Sequence, residues 1–509
     1  MPSRDLPARP HLDHLKNESK ALHKAAQAGD RQALERVRSI LGPIRLTDVQ
    51  RVVAREYGFS SWARLRTRVQ QLSVDRDPVA AFLAAVQAED GGRASEVLAA
   101  HPDIASESLH VAATLGGTAD VERLVRQNPS LVDAKAGDPP ATALLFLCFS
   151  PFHGESAERD ASMLATARAL LDAGADPNTQ DGKYGVPALY GVTGMRSVIP
   201  LARLLLERGA NPSDGESVFH AAERFHLEAL ELLLDAGADL NYVGDWGNTA
   251  IYFLLRWWDV EQHPSVSRGL EWLLAHGADP NVPSGKSRET ALHVASRRGQ
   301  SVTTVRKLLD HGADVRALRG DGASAWVLAR RGGQDEIAAL LEQAGATTEP
   351  LTERDALLAA CGRGDAAEAR RLASPRLIAE LTSEQQLLLP EAAASQRPAT
   401  VMACLAAGFP VDTLDASGAT ALHYAALHGH AALVQALLDA GARLDIRDGE
   451  HTSTALGWAC FGADFVKDAD GEYVECVRAL LEAGATRRPD ERRAMHPGVA
   501  AVLESWEGR

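Results

Sequence analysis

The sequence predicts an all-α solenoid of stacked helix-turn-helix units with short hairpin fingers between them. Three observations carry this. One phrase recurs along the chain as LLDAGADPN (170–178), LLERGANPS (205–213), LLDAGADLN (233–241), LLAHGADPN (273–281), LLDHGADVR (308–316) and LLDAGARLD (437–445), with LLEAGAT (480–486) as a truncated copy. A second phrase precedes it at nearly constant distance, as in KALHKAAQAG (20–29), ESLHVAATLG (107–116), SVFHAAERFH (217–226), TALHVASRRG (290–299) and TALHYAALHG (420–429). Aromatic residues make up only 5% of the chain, which suits many small interfaces better than one large core.

Each phrase has a physical reading. In TALHxAA the threonine hydroxyl caps a helix start, and the small residues that follow let neighbouring helices approach closely; this is the inner helix. In AALVQALLDAG the leucines recur at helical spacing and a glycine able to adopt the left-handed conformation ends the run; this is the outer helix. Between units stand DGK, DWGN, GDGAS and ASGAT, turn sequences suited to the tip of a hairpin finger.

With these residues in view, the sequence resembles the ankyrin-repeat family over most of residues 76–486. The resemblance implies a stack whose concave side, formed by fingers and inner helices, binds partners. It also implies that His23, His110, His220, His293 and His423, each in the fourth position of the TALH phrase, hydrogen-bond backbone between adjacent repeats. The expected organisation is an N-terminal helical cap (1–75), a first array (76–350), degenerate repeats (351–412), further repeats (413–488) and a closing cap (489–509). In the first segment, 46–72 resembles a leader found ahead of repeats in bacterial ankyrin-like proteins. The degenerate segment keeps the helical rhythm but loses Thr, His and fingers, as a bend or a boundary between arrays would.

Composition excludes some functions. Acidic residues outnumber basic ones 68 to 53, a formal charge of −15, which opposes binding to a phosphate backbone. No run approaches the roughly 18 apolar residues of a membrane span, and the first residues lack the apolar core of a signal peptide. The five cysteines are odd in number and show no CxxC spacing, as in a reducing compartment. The expectation is a cytoplasmic protein with no cofactor, no metal, and neither nucleic acid nor membrane as partner.

Breaks in the period mark the candidate working face. From the Thr of the first phrase to the Gly of the second, Thr420 to Gly441 is 21 residues, but Thr142 to Gly174 is 32, Thr249 to Gly277 is 28 and Thr454 to Gly484 is 30. The extra residues, 148–160, 256–266 and 460–473, fall between inner and outer helix and are expected to project from one edge. Gly209 to Ser217 is only 8 residues where 12 or 13 is usual, so NPSDGE replaces a finger. Beside that gap aromatic residues crowd, and half of the eight tryptophans lie between 246 and 272.

The expected binding residues are therefore Tyr184, Tyr190, Phe219, His220, Tyr242, Trp246, Tyr252, Trp257, Trp258, His263 and His153, recognising a protein or peptide across repeats 184–298. A locally larger core is the competing explanation of these rings. A second class of function, an enzyme or small-ligand binder, draws on His220, Glu223, Asp245, Asp259 and His263, with Asp181 and Tyr184 beside them, because imidazoles, carboxylates and a phenol are acid-base groups. A third is an antagonist whose acidic surface shields a basic partner.

Overall fold

Capped short helices alternate with amphipathic ones, as the two phrases require. A computed structural model describes residues 4, 6–7, 12–40, 44–257, 259–449, 451–468, 471–486 and 496–507. The chain divides into two compact units, Met1–Tyr242 and Val243–Arg509, so the division falls inside the stretch 76–350. Among the described residues regular structure is helical, and the pairing between extended segments is limited to isolated bridges, Ala136 with Ala141, Gln180 with Pro187, Ser284 with Glu289 and Leu318 with Ser324. These bridges close the fingers. No helix among the described residues is long and apolar enough to cross a membrane.

Several inner helices start where a hydroxyl caps them. Thr142 Oγ1 accepts the Leu145 N–H at 3.3 Å, and Ser324 Oγ accepts that of Val327 at 3.3 Å. The phrase histidines divide between two roles. His23 and His110 donate through Nε2 to the carbonyls of Ile44 and Ala134, both at 2.9 Å. His293 and His423 instead complete the cap of their own helix, each accepting at Nδ1 the N–H of Thr290 (3.1 Å) or Thr420 (3.2 Å). Both rings also lie against backbone of the next repeat, His293 at Ala317 and Ala323 and His423 at Ile446 and Ser453. His220 follows neither pattern.

In the first unit, helices Leu12–Gln27, Arg31–Arg36, Leu46–Glu56 and Trp62–Arg76 close around their own apolar cluster, including Leu15, Leu22, Val49, Val53 and Leu65. Across its surface Arg36 pairs with Glu18 (3.1 Å) and Glu56 (2.7 Å). Repeats follow, with inner helices Leu109–Leu115 and Ala143–Cys148 in contact. The next inner helix, Ala188–Tyr190, runs into a wide π-type turn at Gly191–Met195. At NPSDGE, Asp214 accepts the N–H groups of Glu216 (2.9 Å) and Ser217 (2.7 Å), a tight turn where a finger would stand.

The second unit packs Ala291–Arg298, Ala325–Arg331 and Glu353–Gly362 in succession. One apolar cluster then runs from Leu357 to Leu503, through the degenerate segment and the later repeats alike. There the helix pairs persist, and two short helices, Pro375–Ala379 and Ser383–Gln386, occupy the place of a finger. They are pinned by charge: Arg319, 4% exposed, pairs with Glu384 at 2.6 Å and with Glu289 at 3.0 Å. The final helix, Pro497–Glu507, packs on Tyr473–Glu482 through Val499 and Leu503; residues 489–495 of the expected cap lie outside the described residues.

The insertions, expected to project from one edge, are anchored at their base. Each carries an apolar anchor that turns it back onto its own unit: Phe152 (4% exposed), Val260 (0%) and Tyr473 (5%). Phe152 lies parallel to Phe82 with ring centroids 6.4 Å apart. Parts of the inserted chain become helix, so that the outer helix Ala157–Asp172 reaches 16 residues. Burying an aromatic or branched side chain is worth about 2 kcal/mol, which favours the folded-back course of each insertion.

Candidate functional site

The largest concentration of expected site residues in the first unit surrounds a groove of about 260 Å³, lined among others by Glu89, Phe149, Asp181, Tyr184, Tyr190 and Met195. Its walls come from separate elements. Phe149 follows the inner helix Ala143–Cys148. Tyr184 stands on a finger whose tip is fastened by Asp181, which accepts the N–H groups of Lys183 (2.9 Å), Tyr184 (2.6 Å) and Gly185 (3.0 Å) on one oxygen. The tip is thereby fixed while the Tyr184 ring remains 60% exposed. Tyr190 is half-buried, its ring 5.9 Å from Phe149 and 4.8 Å from His220. Gly194 makes this possible, since a Cβ there would fall 2.5 Å from the Tyr190 ring. Burial, and then the nearby Glu216, Glu223 and Glu89 carboxylates, push the Tyr190 phenol up, with Arg224 opposing.

His220 lies behind Tyr190 between two carboxylates, Glu223 at 2.7 Å on Nδ1 and Glu216 at 3.3 Å on Nε2. Burial pushes its pKa down, but hydrogen bonds and charge from the two glutamates outweigh this and raise it to about 9. The ring is therefore an imidazolium at neutral pH. Folding raises the pKa above the ordinary 6.5, so the stabilisation is complete below that value and is lost as pH rises through about 9. Urea unfolding at a series of pH values should show the wild type exceeding His220→Gln by on the order of 2 kcal/mol near pH 6, with the gap closing by about pH 10. A gap independent of pH contradicts this assignment.

The remaining expected residues fall in different places. Phe219 (7% exposed) and Tyr252 (4%) are core, and their reading as contact residues is corrected: a ring closed in on both faces offers nothing to a partner. Tyr252 remains tied to its surroundings, donating to Glu289 at 3.2 Å and accepting from Arg256 at 3.2 Å. Tyr242 is half-buried. His153, also half-buried, donates to the Leu147 carbonyl at 2.8 Å and borders another recess with Asp160 and Arg196. Trp246, in the second unit, is 72% exposed on its finger. The side chain of Trp257 and the whole of Trp258 lie outside the described residues. Of the acid-base set, His220 and Glu223 bond each other, whereas Asp245, Asp259 and His263 belong to the second unit. There Asp245 and Asp259 are exposed and His263 donates to the Asp259 carbonyl at 2.9 Å.

Family models match part of the chain. The model for ankyrin repeats (3 copies) matches residues 263–351 and 389–493, and that for ankyrin repeats (many copies) matches 218–262. The chain carries ankyrin repeats. Ankyrin repeats are generally protein–protein interaction modules. Similar proteins include the E3 ubiquitin-protein ligase KEG of Arabidopsis thaliana, 24% identical over 44% of this chain and 14% of its own length. The transient receptor potential channel pyrexia of Drosophila melanogaster is 32% identical over 29% of this chain and 15% of its own. Cyclin-dependent kinase 4 inhibitor B of Homo sapiens is 34% identical over 18% of this chain and 64% of its own. The chain thus spans only a small part of the first two relatives and just under two thirds of the third. Among solved structures, the human ASB11 ankyrin repeat domain is 23% identical with a TM-score of 0.34, covering 47% of this chain and 99% of its own. The ankyrin repeat domain of Bcl-3 is 22% identical with a TM-score of 0.24, covering 47% of this chain and 91% of its own.

The ankyrin repeats of the second unit hold a pocket that sequence reasoning missed. It measures about 470 Å³ and is lined among others by Tyr424, Arg447, Asp448, Trp458, Phe461 and Asp464. Tyr424 and Trp458 occupy the fifth position of TALHY and TALGW, and their rings meet almost at right angles, 86°, at 5.3 Å. Buried Asp448 accepts the Trp458 indole N–H at 3.0 Å, and Tyr424 donates to Asp415 at 2.6 Å. The insertion 460–473 supplies an exposed lip, Phe461 and Phe465, 4.9 Å apart. A signal was present in the sequence: two large rings at one repeat position, next to an insertion. Among the described residues no group of three or more His, Cys, Asp or Glu is placed to hold a metal ion.

Proposed function

We propose that the chain is a binding scaffold for a protein or peptide partner, and that in the first unit the partner lies in the Tyr184–Tyr190 groove. The observation that carries this is the exposed Tyr184 ring on a fastened fingertip, facing an apolar floor. Tyrosine and tryptophan presented on rigid supports contribute large contact area at low entropic cost and dominate binding hot spots. Trp246, equally open on its finger, offers the second unit a contact of its own. The five free, buried thiols suit a reducing, cytoplasmic setting.

The second reading, a small-ligand binder, has its own observation in the second unit: the Tyr424–Trp458 pocket falls within the roughly 300–1,000 Å³ typical of ligand sites. One experiment separates the two. Hydrogen exchange of the full chain, alone and saturated with peptides recovered from a random dodecapeptide library, should show protection at 86–89 and 181–190. Protection confined to 417–464 would overturn the groove as the docking site in favour of the pocket.

A further inference from the structure

We propose that the groove of the first unit takes a basic side chain, lysine or arginine, from an extended peptide segment whose flanking residues are apolar. This rests on the reading of the groove as a peptide-docking site and names what the peptide must carry. Glu89 and Asp181 line the groove, and among the described residues no lysine, arginine or histidine does. The nearby cations stand outside the lining, Lys183 at the rim over Tyr184 and His220 behind Tyr190. Glu89 is exposed at the end of the helix Pro78–Gln87, with its charge beside the Tyr190 phenol. The walls between these carboxylates are aromatic: Phe146, Phe149, Tyr184 and Tyr190.

An acidic or neutral polar side chain entering here would lose water and meet either repulsion or apolar carbon. A cation meets two carboxylates and the negative faces of the rings, attractions that strengthen when water is excluded. The chain already uses this chemistry at the rim, where the Lys183 ammonium lies 4.6 Å from the centre of the Tyr184 ring. Apolar neighbours follow from the floor, where Val86, Leu145, Val186 and Met195 surround the rings. The overall charge of −15 would speed the encounter with a basic segment, most strongly at low salt.

The test uses the full-length protein as the target for a phage-displayed random dodecapeptide library, with recovered sequences synthesised and their affinities measured by fluorescence anisotropy. Recovered peptides are expected to share a lysine or arginine between apolar residues. Replacing that residue by norleucine, or making Glu89→Gln in the protein, should each weaken binding about tenfold. Tyr184→Ala should weaken it at least as much. Peptides that lose affinity with Tyr184→Ala but are indifferent to norleucine and to Glu89→Gln would overturn the basic side chain and leave the docking site standing. Failure to recover any peptide sensitive to Tyr184→Ala would overturn both.

Discussion

Gly362→Val is expected to destabilise the protein by about 3 kcal/mol, seen as a lower midpoint in urea unfolding followed by circular dichroism. Helices Ala325–Arg331 and Glu353–Gly362 meet where neither chain has a side chain to spare. A Cβ on Gly362 would lie 2.4 Å from the Gly332 carbonyl carbon, 2.5 Å from the Gly333 nitrogen and 2.6 Å from the Arg331 oxygen. All three are backbone atoms, so relief requires two helices to separate, and the contacts on both sides of them suffer. Gly345→Ala is the control. Nothing lies within 4 Å of its Cβ, and only its φ of +93° penalises the substitution, at about 1 kcal/mol. Equal midpoints for the two variants would show that the helices yield easily and that their close approach contributes little.

The next largest effect is expected at Arg319→Leu. Arg319 and Glu289 are 4% and 3% exposed, 3.0 Å apart, with Arg297 also 3.0 Å from Glu289 and Glu384 2.6 Å from Arg319. Burial pushes the Glu289 carboxyl up, but the two guanidinium groups together hold it below its ordinary range. Deleting one of them leaves a buried carboxylate half-compensated and removes the bonds that tie the helix Ser383–Gln386 to the finger carrying Arg319. A loss of about 3 kcal/mol follows from the usual penalty for breaking a buried ion pair. Arg443→Leu, which removes an exposed pair with Asp445, should leave the urea midpoint unchanged. A loss at Arg319 no larger than at Arg443 would mean that water reaches the cluster and screens it.

Much of this architecture is legible in the sequence because a repeat must satisfy the same demands each time. Thr290 and Thr420 cap, small residues follow, and a glycine such as Gly441 ends the outer helix. What is not repeated is harder to read. The helices Pro375–Ala379 and Ser383–Gln386 start at their own caps, Ser374 and Thr382, outside either phrase, and their anchoring pair, Arg319 with Glu384, is 65 residues apart. The insertions lack periodicity and so read as loops, but each buries apolar residues, Cys148 and Phe152, Val260 and Val266, Ala463 and Tyr473, that seat it.

At the candidate site, the sequence flags unusual rings without saying which way they face. Tyr184 and Tyr190 meet at the groove, whereas Phe219 and Tyr252, flagged by the same criterion, fill the interior. Pattern alone does not separate these cases, because burial of a ring depends on space left by residues in the next repeat. Tyr424 and Trp458 stand at the same position of two phrases, and only their meeting across those repeats forms the pocket.

The claim at the centre is that a ring on a fixed fingertip serves recognition and not folding. The affinity of a library-derived peptide for the wild-type and Tyr184→Ala chains, measured beside their unfolding midpoints, tests it most directly. Binding should fall at least tenfold, about 1.4 kcal/mol, while the midpoint stays in place. Unchanged affinity, or a midpoint that falls along with it, would contradict the claim.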